Sequence, residues 1–121
     1  MEPYLACAAA LAVLVGLVHS VLGEILIFRR AASIQAGGNR HPRPFGILWA
    51  TWHIATVMGW ALAVVLWKLA AMHDPSPLRD FLLLVIAITY AVSGLLVVIG
   101  TRARHPGWAG LFGVAVLVWL A

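Results

Sequence analysis

The chain is 121 residues long, 64% hydrophobic and only 10% charged, with mean hydropathy +1.01 and a formal charge of +4. So apolar a composition lies outside the soluble globular range and points to a bilayer. The basic residues sit between apolar runs, which fits the positive-inside bias of membrane loops and argues against a nucleic-acid surface. The single cysteine, Cys7, excludes an intrachain disulfide and a multi-cysteine metal site.

The first predicted span covers residues 3–28, with Pro3 suited to the opening turn and Arg29-Arg30 as the stop. It reads as a retained helix rather than a cleaved signal peptide or lipoprotein anchor, because no basic region precedes it and the apolar run is too long. Residues 31–43 read as a loop, broken at Gly37-Gly38-Asn39, with Pro42 and Pro44 opening a second span over residues 44–67 that ends at Lys68. Asp74-Pro75-Ser76-Pro77 reads as a turn in which Ser76 is the N-cap, and Asp80 complements the dipole of a third span over residues 77–101. After the basic turn Arg102-Ala103-Arg104-His105, Pro106 opens a fourth span over residues 106–121. Those 16 residues reach only about 24 Å, so this helix is expected to stand upright or be covered by neighbours. The prediction is therefore one domain over residues 1–121, an all-α integral membrane protein built as an up-down bundle of four transmembrane helices.

Loop charge sets the expected orientation. Arg29, Arg30, Arg40 and Arg43 mark the first loop and Arg102 and Arg104 the third, whereas Lys68 and Arg79 in the middle are balanced by Asp74 and Asp80. Loops one and three are expected on the cytoplasmic side of a bacterial inner membrane, with both termini periplasmic. Arg40-His41-Pro42 and Arg104-His105-Pro106 echo each other. Two basic interfaces, each with a helix-opening proline, account for that echo better than a duplication does.

The polar residues fall at one level. Ionisable groups inside a span cost roughly 2.5–3.5 kcal/mol each on insertion scales, so they face a partner or a wet cavity. His19, His53 and Ser93 each lie eight or nine residues from the same boundary, at a depth of about 12–14 Å, and Glu24 at about 6 Å. Ser20 stands one turn from Glu24, placed to bridge the two ionisable groups of span one, His19 and Glu24. Trp49, His53, Thr56 and Trp60 share a face of span two, while Arg104 and His105 close the same end. Ala12, Gly16, His19 and Gly23 form a small-residue stripe that lets a neighbouring helix approach.

The candidate ligand-binding set is thus His19, Ser20, Glu24, Trp49, His53, Thr56, Ser93, Arg104 and His105. Such a pocket suits a proton, a small cation or a polar solute, since imidazole titrates near neutral pH. The same two histidines, His19 and His53, are also candidate ligands for haem or a divalent metal, although Glu24 lies too shallow to share a first coordination sphere with His19. A third reading is an accessory subunit or assembly factor, because there is almost no extramembrane mass; a homo-oligomer or a larger membrane complex are the partners expected besides lipid. The structural alternative runs alongside these: histidines as interhelical hydrogen-bonders, Glu24 as an anchor for Arg29, Arg30 or Arg104, Thr89 and Ser93 bonded back to their own helix. No G-x-S-x-G or H-E-x-x-H is present, so hydrolysis has no motif to rest on.

Taken together, His19-Ser20-x-x-Gly23-Glu24, Trp52-His53-x-x-Thr56 and Arg104-His105-Pro106-Gly107-Trp108 resemble small four-span proteins predicted in many bacterial genomes. The resemblance covers the whole chain and implies the membrane fold, with no activity to carry over. Small multidrug exporters are of similar size but place their working Glu mid-span, whereas Glu24 lies near a span end.

Overall fold

The computed structural model describes residues 1–30, 43–72 and 74–121, residues 43 and 44 by their backbone alone. The Gly37-Gly38-Asn39 break and the Arg40-His41-Pro42 half of the echo lie outside the described residues. Among those described the chain is all-helical: α1 (Pro3–Gly23), which continues through a π-helical turn (Glu24–Phe28), then α2 (Arg43–Ala70), α3 (Pro77–Thr101) and α4 (Gly107–Trp119). Three segments, Pro3–Phe28, Phe45–Ala70 and Pro77–Thr101, are long and apolar enough to cross a membrane. The fourth helix is shorter than expected. Its 13 residues span about 20 Å, against a hydrocarbon core of about 30 Å.

Local chemistry explains the boundaries. The Glu2 carboxylate accepts from the backbone N–H of Tyr4 and Leu5 at 3.0 and 2.6 Å, an N-cap that the reading from Pro3 had not included. Ser76 caps α3 as expected, accepting from the Arg79 N–H at 3.2 Å. At the far end of α3 the chain closes through two left-handed residues, Arg102 (φ 51°) and Ala103 (φ 60°), and the Ala103 N–H donates to Val98 O at 2.8 Å. That closure is the one glycine normally serves. Ala103→Gly should therefore stabilise the fold by about 0.5–1 kcal/mol, read as a rise in thermal midpoint in detergent, because relief of the Cβ clash exceeds the entropy cost of glycine.

The helices pack antiparallel in the spatial order α2, α1, α4, α3. The Glu2 N–H donates to Ala70 O at 2.8 Å and joins the start of α1 to the end of α2. The Gly110–Val15 and Gly113–Leu11 approaches run α4 down α1, and Phe112 covers Gly94 between α4 and α3. The α2 and α3 edges barely meet, joined through the Tyr90 O–H, which donates to Gly59 O at 3.3 Å.

The buried core lies towards one end. It is made by Leu5, Ala8, Ala9 and Ala12 of α1, Ala63, Leu66, Leu69 and Ala70 of α2, Leu83, Ile86, Ala87 and Tyr90 of α3, and Val114, Ala115 and Val118 of α4. Large apolar side chains such as Leu14, Ile54, Val64, Ile88 and Leu96 face outward on α1, α2 and α3. Close packing of small residues, rather than removal of apolar surface from water, is the attraction available between helices in lipid. The other end holds the polar residues.

Candidate functional site

Three elements meet at that end: the last turns of α1, the π-turn, and the first half of α2. The two antiparallel helices set Ser20 opposite His53, and the Ser20 Oγ lies 2.6 Å from His53 Nδ1. The other imidazole nitrogen, Nε2, lies 3.7 Å from Glu24 Oε2, an ion-pair separation rather than a hydrogen bond. A carboxylate on that side favours the Nε2–H tautomer, which leaves Nδ1 to accept from the Ser20 hydroxyl. Ser20, His53 and Glu24 thus form a row from within the bundle to its end.

Glu24 is the hub of this row. Its Oε2 accepts from the Trp49 indole N–H at 3.0 Å, and its Oε1 lies 3.7 Å from Arg29 Nε. The Arg29 contact depends on backbone geometry. In an α-helix residues five apart differ by about 140° around the axis, so Arg29 would point away from Glu24. The π-turn, closed by the Arg29 N–H on Glu24 O, brings the two onto one face. π-turns inside α-helices are frequent at functional sites.

Aromatic rings wall the row. Trp49 meets His53 edge-on at 4.6 Å between centroids; Phe28 packs against Trp52 at 5.8 Å, His53 at 6.3 Å and Phe45 at 5.5 Å. His19 belongs to a different contact set. Its ring stacks on Trp52, 4.1 Å apart and 8° from parallel, while the Trp52 indole N–H donates to the His19 carbonyl at 3.1 Å. About two turns along, the Trp60 indole donates to Val13 O at 3.2 Å. These two indoles lie over Gly23 and Gly16, so the small-residue stripe receives flat side chains from α2 there.

Of the predicted set, the structure joins Ser20, Glu24, Trp49 and His53. Ser20 bonds across to α2 and does not bridge His19 to Glu24. Thr56 is buried beside Gly16, its hydroxyl without a hydrogen-bond partner among the described residues. Ser93 is half-buried on α3 with no hydrogen bond to the row among the described residues, and Thr89 bonds back to Val85 O at 2.8 Å. Arg104 and His105 are exposed. His105 Nδ1 accepts from the Gly107 N–H at 3.0 Å, so this imidazole caps the start of α4, although it stays within electrostatic reach of His19. Trp52 and Phe28 were not among the candidates. The only signal for Trp52 was its place beside His53, at the level of a glycine on α1. Among the described residues no group of three or more His, Cys, Asp or Glu side chains could hold a metal ion. Compared with known proteins, the chain matches no family model, no curated protein and no solved structure.

Proposed function

We propose that this is a small inner-membrane protein whose Ser20–His53–Glu24 row takes up a proton or small cation within the bundle and exchanges it with the cytoplasm, as part of moving that ion or a polar solute. The observation that carries the reading is the succession of Ser20 Oγ, His53 and Glu24, a hydrogen bond of 2.6 Å followed by an ion-pair separation of 3.7 Å. A hydroxyl, an imidazole and a carboxylate in that order can hand a proton along by rotation and tautomer exchange, and imidazole does so near neutral pH. Arg29 and Trp49 hold the carboxylate at the exit. Three helices of spanning length, the outward-facing apolar side chains and the arginines beside Glu24 support a bilayer with this end on the cytoplasmic side, α4 being the fourth and shortest crossing. The test is reconstitution in liposomes holding a pH-sensitive dye: a pH step should produce proton entry above that of protein-free vesicles, and entry equal to theirs refutes the reading.

A second reading has its own observation. His19 Nε2 and His53 Nε2 are both buried with no hydrogen-bond partner among the described residues, and a nitrogen so placed, in the tautomer without its proton, is open to a metal. Among the described residues no group of three or more His, Cys, Asp or Glu side chains could hold a bare ion. The metal would therefore have to come inside a cofactor such as haem, and Trp52 and Phe28 already occupy the flanks of these rings. The purified protein is expected to be colourless. A Soret band that disappears in both His19→Ala and His53→Ala would move the assignment to haem.

A further inference from the structure

The two halves of the bundle end at different levels on the polar side. α4 runs down α1 with Gly110 against Val15 and Gly113 against Leu11, so Gly107, the first residue of α4, stands level with Val18. The turn after α3, residues 102–106, therefore closes around the level of His19 to Gly23, where His105 is within electrostatic reach of His19. α1 and α2 continue past it, paired by Trp49 with Glu24 and by Phe28 with Phe45. From Gly23 to Arg30 the chain rises about 10 Å further. The result is a recess beside the α1–α2 pair, with the α3–α4 turn as its floor. Its wall is apolar. Val15 is half-buried where α4 covers it, but Leu22, seven residues on and on the same face, is exposed, and so are Ile25, Leu26 and Ile27 beyond it.

The floor carries charge that the chain does not neutralise. Arg102 and Arg104 are both exposed, and neither makes an ion pair among the described residues. The chain has four acidic residues in all. Glu2, Asp74 and Asp80 lie at the opposite end, by the starts of α1 and α3, and Glu24 is committed to Arg29, Trp49 and His53. Residues 31–42 and 73, outside the described residues, contain no acid. The turn is also held in place. The Arg102 and Ala103 N–H groups donate back to α3, to Ile99 O at 3.3 Å and Val98 O at 2.8 Å, and the Trp108 indole N–H donates to Ala103 O at 3.4 Å. Two guanidiniums on a fixed turn, set back from the tip of an apolar helix pair, need an anion from outside the chain. Their forks match the oxygens of a phosphate.

An anion with an apolar body satisfies both floor and wall. We infer that the recess seats an anionic phospholipid, its phosphate on Arg102 and Arg104 and an acyl chain along Leu22. The bilayer dips there to meet arginines set back from the end of α1. Such a dip also suits α4, which is too short for a full hydrocarbon core. The inference rests on the membrane reading above and not on the proton pathway.

Native mass spectrometry of the full chain in mild detergent tests this, with dilauroyl phosphatidylglycerol, dilauroyl phosphatidylcholine and glycerol 3-phosphate as probes. The anionic lipid should bind about 25-fold more tightly than the choline lipid, roughly fivefold from each arginine. Arg102→Gln combined with Arg104→Gln should bring the two lipids to within about twofold of each other. Arg102→Lys with Arg104→Lys, which keeps the charge and guards against a folding defect, should retain most of the preference. Lys68→Gln removes a charge at the other end, by the close of α2, and should leave the preference unchanged. Equal binding of the two lipids, an unchanged preference in the Gln pair, or as large a loss in Lys68→Gln overturns the proposal. Glycerol 3-phosphate binding as tightly as the anionic lipid also overturns it, in favour of a soluble anion. Equal retention of both lipids would leave the membrane reading standing, whereas retention of neither would remove both.

Discussion

His53→Gln should bring proton entry into liposomes down to that of protein-free vesicles while leaving the bundle folded. Gln can keep a hydrogen bond to Ser20 and roughly fills the imidazole volume, but it takes up no proton near neutral pH. A positioned proton-transfer group contributes on the order of a hundredfold, enough to put the variant at background. Glu24→Gln removes the acceptor at the outer end of the row and should have the same effect, and the double variant should be no worse than either single one, because both interrupt one path. Ser20→Ala leaves the His53–Glu24 step and should slow entry less. If His53→Gln lowers entry only in proportion to lost protein, the row is structural, an interhelical hydrogen bond and an anchored carboxylate. His19→Phe offers the internal comparison: His19 lies flat on Trp52 and outside the row, so a stacking ring should retain most of the flux.

The largest effect on stability is expected at Gly23. A Cβ built there falls inside the Trp52 indole, on Nε1, Cε2 and Cζ2. That indole cannot tip away cheaply, since its N–H is committed to the His19 carbonyl and its face to the His19 ring. Gly23→Ala should cost about 2–4 kcal/mol, the sum of overpacking and a stranded indole N–H, less the small gain in helix propensity. Gly16→Ala meets Trp60 Nε1 at 2.6 Å, but Trp60 is 38% exposed and has room to swing, so the cost should be nearer 1–2 kcal/mol. Gly100→Ala meets nothing within 4 Å and should be neutral or stabilising by up to about 1 kcal/mol. Thermal unfolding in one detergent ranks the three. Equal midpoints for Gly23→Ala and Gly100→Ala would show that the indoles are not seated as described.

How much of this could be read in the chain differs between levels. Helix positions followed from hydropathy and from Pro3, Ser76-Pro77 and Pro106, and α3 begins and ends where the residues said it would, because boundary chemistry is local. The grouping of His19, His53 and Ser93 by depth, with Glu24 nearer the end, was equally local, a matter of rise per residue, and it could not show that Ser93 stands apart from the row. What depth leaves open is the angle about the helix axis. Ser20 and His19 are neighbours in sequence but about 100° apart in projection, and that rotation gives Ser20 to His53 and His19 to Trp52. Nearness along the chain already offered Arg29 as a partner for Glu24, and the ion pair is there, but the geometry that makes it, a π-turn that breaks the helical period, was not legible. The Trp52–Gly23 fit, likewise, is a complementarity between two helices, visible only once their register is known.

That same turn has a consequence for how the chain tolerates change in length. A π-turn accommodates one residue more than the α-helix it interrupts, so the segment Glu24–Phe28 behaves as an absorbed insertion. Deleting one of Ile25, Leu26 or Ile27 would let the helix run on regularly, with Gly23 and Trp52 undisturbed, and would leave the side chains beyond it close to their present faces. Arg29 would then stand four residues from Glu24, about 40° away around the axis and still beside it, so a one-residue deletion would keep the exit of the row coupled to the bundle.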